Sequence, residues 1–551
     1  MRVTTRAIAI ASVATAVGLL ATACTPAPSS PGASGSAPTA AEITINGCTP
    51  ENPLIPGNTS EVCGGNVIDT FAAKLIHYNP DTAAPELDIA QAIETEDNQN
   101  FTVKLNPGYK FHDGTEVKAK NFVDAWNWTA SGKNGYAGGY FMSVFEGFGD
   151  LQCGVNADEE TDCEASPQKS EAMSGLKVVD DHTFTIKTTE KVSNLPVRLG
   201  YSAFAPMPDS FFADPAAYEA KPIGAGPFQF VSKSDTEMVV EKFADYSGKF
   251  AAKVDKVTFK IYTDLAAAYA DVVANNLDIL DQVPNDQLVG DAYQSDLPDR
   301  NAQLGTSNFR WITYSPVDEQ LKGNVDLRKA ISMAIDRQAL VDQVMSGAGV
   351  PADSWVPSTL DGAVAGTCGE ACVFDAAKAK ALYEKAGGYK GTLTYSTNVA
   401  ENPLNQAIGE AVVNQLKNNL GIDARFNPVV DFATFNKGID AGEYKGIFRS
   451  GWQMDYPSIE NYLTPIYAKG ADSNWSKFDS PKFEELLKQA AAAPAGAESN
   501  ALYQEAEKVL AEGFPTAPLF VGAATIGWSE RMAPVKITAF GTPDLVSAGL
   551  K

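Results

Sequence analysis

FTVKLNPGYKFHDGTEVKAKNFVDAWNW, residues 101–128, changes its hydrophobic period within one short run. Phe101, Val103 and Leu105 alternate with Thr102 and Lys104, the period-two pattern of a half-buried strand. Asn106-Pro107-Gly108 is a turn triplet, and Tyr109 and Phe111 resume the apolar positions, so the run predicts a hairpin. His112-Asp113-Gly114 predicts a second turn, leading into an amphipathic helix over KNFVDAWNW. Strand, turn and helix in such quick succession predict a chain that mixes α and β.

Outward from this run the same elements recur. LKVVDDHTFTIKT (176–188) and GPFQFVSKSDTEMVVEKF (226–243) read as strand pairs turning at Asp180-Asp181 and near Ser234-Asp235. VDKVTFKIY (254–262) is a strand followed by the helical AAAYADVVANN. The second half changes character: residues 326–345 carry apolar residues at helical spacing throughout. QAIGEAVVNQLKNNLGIDARF (406–426) runs from a helix through Gly421 as its cap into a strand. Ser480 as N-cap and Pro481 at the first helical position open FEELLKQAA.

At 551 residues the chain exceeds one ordinary core and divides into two or three packed lobes. Its 43 Lys and Arg against 68 Asp and Glu leave a formal charge of −25. That charge argues against nucleic acid or any polyanionic surface as a partner.

The N-terminus reads as an export signal: Arg2 and Arg6 precede a small apolar run, Ala7 to Leu20, too short to anchor as a membrane span. It ends in Ala21-Thr22-Ala23-Cys24, which resembles the lipobox of bacterial lipoproteins, with alanine where leucine is usual. The resemblance implies cleavage after residue 23, lipid on Cys24, and a place at the outer face of the cytoplasmic membrane. Residues 24–41 are rich in Pro, Ser, Gly and Ala without an apolar period, the composition of a tether. Setting Cys24 aside, six of the seven cysteines remain, an even number in an exported chain, which reads as disulfides. Several connectivities are open; loop closure favours the neighbours Cys48–Cys63, Cys153–Cys163 and Cys368–Cys372. With 3 histidines, none near a cysteine pair, no metal site and no cofactor is expected.

Six segments in collinear order carry a family resemblance: residues 52–81, 103–126, 224–231 (GAGPFQFV), 326–337 (DLRKAISMAIDR), 449–458 (RSGWQMDYPS) and 480–487 (SPKFEELL). Together they resemble the solute-binding proteins of peptide-type ABC importers, the dipeptide and oligopeptide binding family (solute-binding family 5). The resemblance implies an α/β, two-lobed, periplasmic-binding-protein-like fold (type II) that closes about a hinge. Lobe I would take 42–80, 174–283 and 516–551, an inserted subdomain 81–173, and lobe II 284–515. It implies a monomer that captures peptides and hands them to an ABC permease in the membrane, with no catalysis.

The same resemblance assigns a site. Asp455, three after Trp452, would meet the ligand ammonium, and Arg449 completes the R-x-G-W-x-x-D-Y element of oligopeptide-binding members. Trp452 and Tyr456 would supply flat apolar walls, and Gly451 would admit close backbone approach. Tyr140, or Tyr136 in the same GYAGGYFM, lies where members bring a tyrosine over the peptide. On residue types alone, Trp452 and Tyr456 equally suit a core, and Arg449 with Asp455 an ordinary ion pair. The chain departs from the family where basic residues for the ligand carboxylate are expected: those positions hold Ser346 and Asp440, and Lys437 and Lys445 are out of register. Two other readings stay open: the same fold with an oligosaccharide cargo, and a secreted hydrolase using paired carboxylates. No G-x-S-x-G or H-E-x-x-H supports the second. A nickel or haem cargo lacks a histidine cluster to receive metal.

Overall fold

The computed structural model describes residues 40–551 apart from 60, 156–160, 400–402, 431 and 472. The signal segment, Cys24 and the tether as far as residue 39 lie outside the described residues.

Asn100–Leu105 forms a strand as its alternation predicts, but not the predicted hairpin with Tyr109 and Phe111. Its two edges are already taken, by Ala90–Thr95 on one side and Thr183–Lys187 on the other. After Gly108, at φ +89°, the chain makes its own tight turn. There the Phe111 amide donates to Thr115 O, the Val117 amide to Tyr109 O, and Asp113 accepts from the Thr115 amide at 2.9 Å. The helix Ala119–Ala130 follows and lays Phe122 and Trp126 onto the sheet. That sheet is antiparallel, in the order Ala90–Thr95, Asn100–Leu105, Thr183–Lys187, Leu176–Asp180, and so takes strands from both sides of residue 173.

A second, mixed sheet of eleven strands runs through the molecule. Near its centre lie two long antiparallel strands, Asn301–Tyr314 and Thr516–Trp528. Beyond Thr516–Trp528 come Ile279–Leu280, Glu42–Gly47, Lys256–Ile261, Glu237–Lys242 and Phe228–Lys233. Beyond Asn301–Tyr314 come Ile447–Trp452, Leu393–Asn398 and Ala424–Val429, and the eleventh strand, Gly349–Pro351, pairs with Thr516–Trp528 off this path. The apolar faces bury into separate cores. One is built around Ile43, Phe71, Phe230, Val257 and Trp528, and another around Trp311, Ile331, Trp355, Val412 and Tyr467. The helical pattern over 326–345 breaks in two, Val325–Met333 and Arg337–Ala339 with its continuation to Val344, because Asp336 caps the second piece by accepting from the Ala339 amide at 2.9 Å. Gly421, at φ +73°, ends Pro403–Leu420 as predicted, and Ser480 caps Pro481–Ala492. Three disulfides form, Cys48–Cys63, Cys153–Cys163 and Cys368–Cys372.

Candidate functional site

Asp455 lies where the chain leaves the strand Ile447–Trp452. Asn461, on the short 3-10 helix Ile459–Tyr462, holds this loop in shape. Its Oδ1 accepts from the Asp455 amide at 2.9 Å and from Trp452 Nε1 at 3.0 Å, while its Nδ2 donates to Asp455 Oδ2 at 3.3 Å. The other carboxylate oxygen accepts from the Tyr140 hydroxyl at 3.3 Å. Tyr140 arrives from the 3-10 helix Ala137–Val144; the residue is 52% exposed, and its ring leans on Phe141 at 4.1 Å between centroids. Burial raises the Asp455 carboxyl pKa above its ordinary value, against the lowering effect of Asn461, Tyr140 and Arg198. Its hydrogen bonds come from neutral donors; among the described residues no lysine or arginine bonds it.

The acid opens onto a cavity of about 510 Å³ that also touches the end of the strand Glu42–Gly47, the helix Val62–Phe71, Tyr201 and the C-terminal segment 538–546. Six carboxylates line it, Glu61, Asp69, Asp88, Asp281, Asp455 and Asp544, against one lysine, Lys74. Lys74 is already paired with Asp69 at 2.7 Å. Glu61 caps a helix, Asp88 accepts from Tyr109 at 2.8 Å, Asp281 accepts from Asn46, and Asp544 from Ser547. The cavity therefore carries a strong excess of negative charge and attracts cations.

Tyr456 turns the other way. It is buried, donates to Glu460 Oε2 at 2.8 Å, and lies under Arg198, whose guanidinium carbon is 4.8 Å from the ring centroid. Glu460 Oε2 also accepts from Asn194 at 2.7 Å and pairs with Arg198 at 3.4 Å, tying residues 194–198 to the loop that carries Asp455. Arg449 does not pair with Asp455. It lines a smaller cavity of about 200 Å³, with Arg310, Phe432, Trp452 and Trp475, and donates to Asn398 Oδ1 at 3.3 Å. The space above Gly451 is filled: a Cβ there would stand 2.0 Å from Arg310 Nη1. Tyr136, Ser346, Lys437 and Lys445 line neither cavity, and Asp440 lines a third beside Tyr444.

Asn461, Arg198, Tyr201 and Arg310 escaped the sequence reading. For Asn461 a signal existed, a polar residue six after Asp455 between the apolar Ile459 and Leu463. The others depend on which strands and loops meet.

A family model for the bacterial extracellular solute-binding proteins, family 5 (middle part), matches residues 84–474. The chain belongs to this family. Among curated relatives of the family 5 protein, the periplasmic murein peptide-binding protein MppA of Escherichia coli K12 is 28% identical over 450 residues, 78% of this chain and 79% of MppA. The oligopeptide-binding protein OppA of Bacillus subtilis 168 is 24% identical over 519 residues, 91% of each chain. Among solved structures, the unliganded open form of the murein tripeptide binding protein MppA superposes with a TM-score of 0.79, at 21% identity, covering 93% of this chain and 97% of that one. The family 5 protein thus has the α/β, two-lobed solute-binding fold, and its family is one of binding proteins rather than enzymes. Among the described residues no helix is long and apolar enough to cross a membrane.

Proposed function

We propose that this chain is the capturing component of an ABC importer, held outside the membrane by lipid on Cys24, and that its cargo is peptide. The observation that carries the cargo is Asp455: a carboxylate in an acid-rich cavity, held by neutral donors, with the exposed Tyr140 beside it. Leaving a buried charge uncompensated is costly, and a peptide ammonium supplies the missing cation where a neutral sugar does not. The names of two relatives agree with this reading, MppA being named for murein peptide and OppA for oligopeptide. Trp452 and Tyr140 wall the ligand, Arg449 serves its far end, Gly451 makes room for the Arg310 side chain rather than for ligand, and Tyr456 acts through the Arg198–Glu460 network rather than by contact. Lobe I comprises 42–80, the later part of 174–283 and 516–551, lobe II 284–515, and the inserted subdomain runs from 81 to Lys187, where its sheet is complete. The protein works as a monomer that delivers ligand to its permease.

Native mass spectrometry of protein challenged with a mixed peptide library and with cello- and xylo-oligosaccharides tests the cargo. Retention of peptides alone is expected; retention of sugars alone overturns the reading. Cys24→Ala is expected to release the protein from cells into the medium, because the tether composition offers nothing else to hold a membrane. Continued membrane association of the variant would remove the lipid anchor.

A further inference from the structure

The long central strands pass from one core to another. On Asn301–Tyr314, Ala302 and Leu304 pack against the core around Ile43 and Trp528, whereas Phe309 and Trp311 belong to the core around Trp355. Between them the ladder with Thr516–Trp528 slips. Gly305 lies opposite Ala523 and Phe309 opposite Val521, so residues 306–308 face Gly522 alone. A bulge interrupts the ladder, and the strand bends there at less cost than on either side.

The same two halves meet again at a buried polar seam. The core around Trp126 is continuous with the one around Ile43, since Phe71 and Ala205 lie in the second and Leu75 and Phe204 in the first. Val192, Leu195 and Leu199 sink into the Trp126 core, while the residues between them reach across to the other half. Ser193 Oγ is 3.0 Å from Ser499 Oγ, and Asn194 and Arg198 both donate to Glu460 Oε2. Asn98 adds a bond to Ala493 O at 2.6 Å. Ser193, Asn194, Glu460 and Ser499 are all buried. Parting the seam would break these bonds together; turning about it keeps them.

The 3-10 helix Ile459–Tyr462 runs from seam to bulge. Glu460 belongs to the seam, and the Tyr462 hydroxyl donates to Ser307 O inside the bulge. Asn461, between them, holds the Asp455 loop. A two-lobed binding protein encloses ligand by turning one lobe on the other. Two bodies tied at two separate points keep one rotation, about the line through both.

We propose that closure turns about the line joining the bulge at 306–308 to the Arg198–Glu460 seam, and that Asp455 lies on this line. Points on an axis stay in place, and others sweep further the farther out they lie. The Asp455 end of the site thus has one shape, empty or filled; ligand docks there first, and the rest of the cavity closes over it. The axis is independent of the cargo; that its fixed end receives an ammonium rests on the peptide reading above.

The test cross-links the seam in the full mature chain. Ser193→Cys/Ser499→Cys puts two thiols where the hydroxyl oxygens stand 3.0 Å apart, within reach of a disulfide. Challenged with a mixed library of three- to five-residue peptides, the cross-linked and open forms are expected to capture peptide within about threefold of each other. Both are expected to contract equally on capture, read by small-angle X-ray scattering. Capture weakened about tenfold or more by the cross-link shows that the seam has to part, and overturns the proposal. Contraction lost on cross-linking overturns it too, as does capture without contraction in either form. Should the parent capture no peptide, the peptide reading fails, and the same comparison with cello- and xylo-oligosaccharides decides the axis. Should the pair not fold or not cross-link, spin labels on Lys191→Cys/Glu498→Cys, exposed positions flanking the seam, decide instead. Their separation is expected to stay the same on capture, and a shifted separation overturns the axis.

Discussion

Asp455→Asn is expected to weaken peptide binding by thirtyfold to several thousandfold while leaving the fold intact. The amide keeps the shape: with its oxygen accepting from Asn461 Nδ2, its NH2 can donate to the Tyr140 hydroxyl, which turns to become the acceptor, so the loop at Met454–Asn461 has no reason to rearrange. What disappears is the charge. Truncating one partner of a buried, hydrogen-bonded charge pair costs roughly 2 to 5 kcal/mol, at about 1.4 kcal/mol per decade of affinity. N-acetylated peptides, which have no ammonium, should bind the parent weakly and be penalised far less by the substitution. Calorimetry of parent and variant with free and acetylated forms of one peptide measures this, and equal affinities throughout would show that Asp455 is not the anchor. The pH dependence follows with a definite sign. Burial raises the carboxyl pKa in the empty site, and a bound ammonium lowers it. Affinity is therefore full above the empty-site pKa and falls as pH drops through it, by up to tenfold per unit. In Asp455→Asn this acid limb should be absent.

Trp126→Ala is expected to cost about 3 to 5 kcal/mol of stability. Trp126 is fully buried, stacked on Phe145 at 5.4 Å between centroids and edge-on to Phe184 and Phe204, and its Nε1 donates to Phe204 O at 3.0 Å. Alanine removes the ring, orphans a buried carbonyl and leaves a cavity that three aromatic neighbours cannot all collapse into. Phe145 directly follows the helix Ala137–Val144, so the damage should reach Tyr140. Hydrogen exchange should quicken in 90–105, 119–130 and 137–144 and remain unchanged in the strand Leu393–Asn398, which belongs to a different core. Unaltered exchange in the first three segments would refute the packing account.

Local signals served the sequence reading wherever the physics is local. The alternation at Phe101–Leu105, the caps at Ser480 and Gly421 and the cysteine neighbours each depend on residues close in the chain, and each was visible there. The hairpin at 106–111 failed because strand pairing is decided by which edges are free, and Thr183–Lys187 had taken the edge that Tyr109 would need. The site divided along the same line. Asp455 and Trp452 stand in one loop and are joined through Asn461. Tyr140 meets Asp455 from more than three hundred residues away, and its placement came from family resemblance alone. Arg310 was beyond reach because a single sequence does not state that it lies opposite Gly451.

That pairing makes the molecule unequally tolerant of two kinds of genetic change. Point substitutions along Ile447–Trp452 alter one side chain and leave the others aimed as before. A one-residue insertion or deletion inside the strand would rotate everything beyond it to the opposite face, since the pleat repeats every two residues. Arg449 would then face away from Arg310, or Gly451 would be replaced beneath its guanidinium by a residue with a Cβ. Length variation among descendants of this sequence should accordingly collect in the turns, such as 441–446, whose Gly442 and Gly446 already adopt positive φ, and spare the few residues between Ile447 and Trp452. Single side chains on this strand can change one at a time, but the register that aims them all is inherited whole.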